Sequence, residues 1–554
     1  MARIHALPRR QWTTEQMQGA AAYYTSTCRL PNGRMHLRPV QGAALHEVAT
    51  IGGAFVAVRV GGGKTLLSLL IPFVTNAVRP VLLLPASLIK KTRLEMDTLM
   101  GHWRIPRNIQ MVSYEMLGRE SSARFFETAQ PDIIIADEAH KLKSLKAGVT
   151  RRVKRYMEAA PGTRFVPMSG TLIKDSLEDF GHLLEWALKA TAPIPLDMGT
   201  RMEWSECLSP SDRSFNKIEP GPLLRLARPG KAYEGDDLSK ARQVFRDRLL
   251  DTPGVISSGD DHVACSLYLH GMAYDVNQTT EDNFKRLRNL WETPDGWALT
   301  QAIDVWRHSR ELALGLHYIW DPRPPEEWIN ARRQWAAFVR AVISHSRTLD
   351  TELQIAHACA AGQLDPSSWN QWARIRDSFT PNSKPVWHDD SALKVCQKWA
   401  RGGPGIIWTD HSFFARELAR LTGWKYYGRE GVTDQGEPIE RADPSQVIIA
   451  STKANSTGRN LQAFNRNLLT AVPAGAPAWE QLLGRTHRDG QTADNVSCDF
   501  LIGCLEHEES FRGALDSARM IQEMTGHTQK LLIADLDMDS HPWNTPRWVA
   551  NRKE

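Results

Sequence analysis

The apolar run Ala54–Val60 leads directly into Gly61-Gly62-Gly63-Lys64-Thr65, and Leu66–Val74 continues it as a helix-like stretch. Strand, glycine loop and helix in that order leave few folds open, because they set a phosphate-sized gap at the carboxyl edge of a parallel sheet. Glycines let backbone N–H groups approach phosphates, and a helix N-terminus favours negative charge. Lys64 can reach the β- and γ-phosphates, and Thr65 can offer a hydroxyl to Mg²⁺. The long spacing G-x-x-x-x-G-K-T is absent, since Val58 stands at its first position; the shorter G-x-G-K-T is present. Such a loop also occurs as a simple tight turn, so the nucleotide reading needs a second half-site. Ile133-Ile134-Ile135-Ala136-Asp137-Glu138-Ala139-His140 supplies one: a strand that ends in acids beside the phosphate loop. Asp137 can hold the Mg²⁺ shell and Glu138 can orient or deprotonate an attacking water. An acidic helix cap would explain Asp137 alone, but not the whole string.

Short apolar runs recur at Val81–Leu84, Ile133–Ala136 and Phe165–Met168, and again at Gly405–Trp408, Val447–Ala450, Asn467–Val472 and Val496–Ile502. They read as two α/β series of buried parallel strands with crossover helices. At 554 residues the chain is long enough for roughly three to four domains. The expected division is 1–190 for the first lobe, 191–385 for a helical middle rich in tryptophan, 386–530 for the second lobe and 531–554 for a tail. The tryptophans of the middle, such as Trp328, Trp335 and Trp369, are expected to pack helices rather than stack on bases. Seven scattered cysteines without a C-x-x-C pair argue for reduced thiols and against a zinc site. No leader-like or membrane-length apolar segment is present, which implies a protein of the cytoplasm, bacterial or of an infected host cell. A net charge of +5 permits a polyanionic partner without requiring one.

Asp137–Ser144, D-E-A-H-K-L-K-S, resembles the extended motif II of the Swi/Snf-type branch of helicase superfamily 2. Met168-Ser169-Gly170-Thr171 is similar to motif III, and Leu37–Gln41 to the L-R-P-x-Q element whose glutamine, here Gln41, recognises adenine. Ser451–Ala454 with Gly458–Leu461 resembles motif V, and Gln481–Gln491 resembles motif VI with its final G-Q. The resemblance implies two tandem RecA-like P-loop lobes separated by a mainly helical insert, with ATP and Mg²⁺ in the cleft between lobes. Gln41, Gly61, Gly62, Gly63, Lys64 and Thr65 would then bind nucleotide with Gly458, Arg485 and Arg488. Lys64, Asp137, Glu138, Arg485 and Arg488 would be catalytic, and the two arginines, three apart, are expected on one helical face. Departures occur at Leu172, where the family has proline, and at Asn455-Ser456-Thr457, where it has small residues.

By the same resemblance, Pro85–Leu88 and Val112–Glu115 fall where first-lobe DNA contacts lie, so Ser113 and Tyr114, and in the second lobe Ser451 and Thr452, are candidate nucleic-acid contacts. The basic stretch Lys141, Lys143, Lys146, Arg151, Arg152, Lys154 and Arg155 is either a solvated helix face or a further contact. The implied activity is nucleic-acid-stimulated ATP hydrolysis by a duplex DNA translocase. RNA ranks lower, because motif VI lacks the H-R-x-G-R form. A strand-separating helicase and a weakly hydrolysing scaffold are the competing readings. The layout, without an identifiable nuclease, zinc or reader motif, resembles compact versions found in bacteriophages and bacteria.

Overall fold

The computed structural model describes residues 1–58, 62–170, 176–208, 219–257, 263, 265–299, 301–346, 349–456, 458–526 and 528–539. Gly61, Thr171, Leu172, Thr457 and the tail beyond 539, all singled out above, lie outside them. The chain divides into two units: Met1–Asp261 with Asn330–Arg376 and Met520–His527, and His262–Ile329 with Asp377–Arg519 and Thr528–Glu554.

The first unit contains β1 (Phe55–Ala57), β2 (Pro80–Leu84), β3 (Gln110–Ser113), β4 (Ile133–Asp137), β5 (Arg164–Met168) and β6 (Val255–Ser257). All pair in parallel, in the order β3-β2-β4-β5-β1-β6. Alternate residues of the apolar runs divide between two separate cores. Phe55, Val81, Leu83, Ile134, Ala136 and Phe165 face one; Val56, Leu82, Leu84, Ile133, Ile135 and Val166 face the other. That is the period of two of a strand buried on both faces, and it explains why these segments are apolar throughout. The strand expected over Ala54–Val60 is shorter, ending at Ala57.

The second unit contains β7 (Ser266–Ala273), an antiparallel pair β8 (Leu316–Trp320) and β9 (Ser383–Trp387), then β10 (Gly405–Thr409), β11 (Tyr426–Tyr427), β12 (Val447–Ser451), β13 (Arg466–Leu469), β14 (Asn495–Ile502) and β15 (Asp535–Met538). Its seven-stranded sheet is also all parallel, in the order β11-β12-β10-β13-β14-β7-β15. Two helix-flanked parallel sheets are the architecture expected of two RecA-like lobes.

Segment 191–385 is largely helical but does not stand as one body. β6 extends the first sheet, β7 pairs with β14 along eight residues, and residues 330–376 belong to the first unit. Asp350 fixes that last piece: Arg152 Nη2 donates to its Oδ1 at 2.8 Å and Arg155 Nη2 to its Oδ2 at 2.6 Å, with Arg152 and Asp350 both buried. Burial alone would raise the Asp350 carboxyl, but the two guanidiniums carry it below its ordinary value. Trp335 packs against Trp369 and Trp328 against Phe379, with ring centroids 5.2 Å and 5.1 Å apart, whereas Trp291 and Trp320 are exposed. Every cysteine is free and buried. Among the described residues no helix is long and apolar enough to cross a membrane, and no group of side chains could hold a metal through three His, Cys, Asp or Glu ligands.

Candidate nucleotide site

Helix Lys64–Val74 begins at the carboxyl edge of the first sheet, with Gly63 as its N-cap at φ 75°. The left-handed backbone at Gly63 favours glycine, and a Cβ there would meet Gln41 Nε2 at 2.2 Å and displace that amide. Gln41 is buried: its Nε2 donates to Gly63 O at 3.2 Å, and its Oε1 accepts from Arg38 N at 2.8 Å. The glutamine element and the phosphate loop, read separately in the sequence, are thus joined by a hydrogen bond. Lys64 is buried, with Nζ donating to Val58 O at 3.0 Å. Gly62 is buried and Thr65 half-buried in the first turn.

β4 delivers Asp137 and Glu138 to the same edge. Burial raises the Asp137 carboxyl, Glu138 raises it further, and Lys64 opposes both, leaving it above its ordinary value. Adjacent carboxylates in such surroundings favour a divalent cation, and the set of ammonium, hydroxyl, two carboxylates and helix N-terminus fits a magnesium-bound nucleoside triphosphate. Glu138 adopts φ 53°, ψ 46°, a left-handed conformation rare for a residue with a Cβ. Its carboxylate accepts from Ser169 Oγ at 3.2 Å and lies 3.3 Å from His140 Nδ1, while Ser169 Oγ and His140 Nδ1 are 3.2 Å apart. Motifs II and III therefore meet on the Glu138 side chain.

Ser113 and Tyr114 differ from expectation. Both are buried; Ser113 Oγ accepts from Met116 N at 2.9 Å, and Tyr114 donates its hydroxyl to Asp137 O at 2.6 Å. Their side chains are spent inside the unit and do not form a contact surface. Glu115 Oε2 accepts from Ala86 N at 2.9 Å, at the start of helix Ala86–Leu99. The sequence reading missed these roles, although a polar triplet at the end of a strand, level with the end of β4, was the available signal. Part of the basic stretch is likewise internal. Arg152 and Arg155 hold Asp350, and Arg151 donates to Ser346 O, whereas Lys141, Lys143 and Lys146 are exposed.

In the second unit the helix of motif VI ends at Leu483, so Arg485 and Arg488 occupy the turns after it rather than one helical face. Arg485 is buried, its Nε donating to Gln481 O at 2.8 Å and its Nη1 to Arg459 O at 3.0 Å. Arg488 Nη1 donates to Asn460 Oδ1 at 2.5 Å. Gln491 clamps the following loop through Phe464 O and Thr486 O, each at 3.0 Å. Gly458 takes φ 71°, and Ser451 and Thr452 are half-buried where β12 passes into the helix Thr452–Asn455. Asn455, one of the departures in motif V, is fully buried and donates to Tyr427 O and Ser451 O, each at 3.0 Å, tying the ends of β11 and β12 together.

No protein-family profile matches the chain. Over 225 residues it is 25% identical to the DNA repair and recombination protein RAD54B of Gallus gallus, a similarity covering 36% of this chain and 22% of that protein's length.

Proposed function

We propose that the chain is an ATP-hydrolysing motor of helicase superfamily 2 that tracks along duplex DNA. The observation that carries this reading is the convergence of Gly63, Lys64, Gln41, Asp137 and Glu138 at the carboxyl edge of one parallel sheet. Bound magnesium nucleotide supplies the anhydride to be cleaved and the divalent charge that offsets the phosphates. Lys64, which donates to the Val58 carbonyl, would turn to the β- and γ-phosphates, and Thr65 and Asp137 would hold the metal, partly through water. Glu138, fixed by Ser169 and His140, orients the attacking water and takes its proton. By the resemblance of motifs V and VI, Gly458, Arg485 and Arg488 are the further residues we assign to the nucleotide, with Arg488 for the γ-phosphate.

The Swi/Snf-type motifs and the DNA-related name of the chicken relative support DNA over RNA as the track. Exposed Lys141, Lys143 and Lys146, with the half-buried Ser451 and Thr452, are the side chains we assign to the phosphodiester backbone, which carries no sequence code. Phosphate release by the parent protein, by Lys64→Ala and by Glu138→Gln tests the hydrolytic reading. Lys64→Ala should lose nucleotide affinity, and Glu138→Gln should retain affinity but turn over very slowly. Parental turnover by Glu138→Gln would remove the assignment.

A further inference from the structure

The peptide between Asp137 and Glu138 is held at both ends by side chains. Its amide donates to Asp137 Oδ1 at 3.0 Å, and its carbonyl accepts the Tyr114 hydroxyl at 2.6 Å. This peptide leads into the left-handed Glu138, a conformation that persists only where its surroundings impose it. Tyr114 lies just past β3, and β2 stands between β3 and β4, so the phenol reaches across a strand to meet motif II. The ring belongs to a buried core that phenylalanine would fill equally well; only the hydroxyl's partner requires tyrosine.

Resting on the hydrolytic reading above, we propose that Tyr114 is a positioning residue that couples the segment after β3 to the Glu138 carboxylate, so that nucleic acid bound at the first lobe raises turnover through it. The neighbours of Tyr114 give the route. Glu115 takes the Ala86 amide at the start of helix Ala86–Leu99, and Ser113 caps the turn Tyr114–Leu117. The start of helix Ala86–Leu99 is thus tied through Glu115 to the residue beside Tyr114, so that a displacement of this first-lobe segment shifts the phenol and rotates the peptide that aims Glu138. One hydroxyl acts on catalysis without touching nucleotide.

Tyr114→Phe in the full chain tests this, with kcat, KM for ATP, nucleotide affinity and melting temperature measured with and without duplex DNA. Tyr274→Phe is the matched control, since Tyr274 is also buried and donates its hydroxyl to a main-chain carbonyl, that of Ala313, in the second unit. Tyr114→Phe should lower kcat on the order of tenfold and blunt stimulation by DNA, with KM and affinity within about twofold of the parent. Tyr274→Phe should keep parental kcat at a comparable melting temperature. In a Glu138→Gln background, Tyr114→Phe should add no further loss in single turnover, because both changes act on one group. Parental kcat and stimulation in Tyr114→Phe, beside a slow Glu138→Gln, would overturn the coupling and leave the hydrolytic reading intact. Additive losses in the double variant, or parallel losses of kcat and nucleotide affinity, would also overturn it. A parent protein without ATP turnover would instead overturn the hydrolytic reading, and the coupling with it.

Discussion

Arg485 and Arg488 share a motif but not an environment. Arg485 is 3% exposed and embedded in carbonyls of its own turn and of Arg459, whereas Arg488 is held through one side chain, Asn460, and its buried Nε has no partner among the described residues. A guanidinium in the second state can be re-aimed at small cost; one in the first holds the turn together. Arg488→Ala should therefore reduce turnover on the order of 10³–10⁵ with nucleotide affinity nearly unchanged, as for arginine fingers generally. Arg485→Ala should lower the melting temperature as well. Equal melting losses in the two variants, or parental turnover in Arg488→Ala, would contradict this division. The sequence makes the residue types and their order legible, but not the direction of each side chain. Ser113-Tyr114 looks like a polar surface string, yet it turns inward because the end of β4 lies within reach across β2, a proximity set by strand order.

At the level of elements, legibility followed burial. β2, β4, β5, β10 and β12 are buried on both faces and stand out as continuous apolar runs, so their existence and spacing could be read directly. β7 escaped notice because its burial alternates along the strand, with Ser266 and Tyr268 exposed, and β6 because it is three residues long. Pairing partners distant in sequence, such as β7 with β14, leave no local signal at all. The same holds for the Arg152–Asp350 contact, where two separated polar residues read as solvated until the fold buries both. Removing one member of a buried pair leaves the other charge uncompensated, so Asp350→Ala should destabilise the first unit by about 3–5 kcal/mol. Lys154→Ala, at an exposed lysine facing Glu158, should change stability by less than about 0.5 kcal/mol. Urea denaturation compares them, and similar midpoints for the two variants would contradict the burial argument.

For the molecule as a whole, buried histidines contribute to the response to acid. Burial holds His182 and His487 at about 4 and His507 at about 3, against an ordinary value of 6.5. Each is neutral when folded and gains a proton on unfolding below 6.5, so the contribution to stability is complete above that pH and is lost as pH falls toward the folded values. The urea midpoint should drop steadily from pH 6.5 to 4.5, and a flat midpoint over that range would contradict neutral burial. Nucleic-acid binding through lysines and arginines should weaken steeply with salt, with a slope set by the number of phosphates neutralised. Hydrolysis, as we propose it, serves movement on duplex DNA. Its most direct test is the steady-state ATPase rate of the full chain with no nucleic acid, single strands, blunt duplex, forks and RNA, with Glu138→Gln as the blank. A duplex translocase should show the largest rise with blunt duplex and should displace a triplex strand without unwinding a plain duplex. Stronger stimulation by single strands, together with robust unwinding of forks, would contradict it.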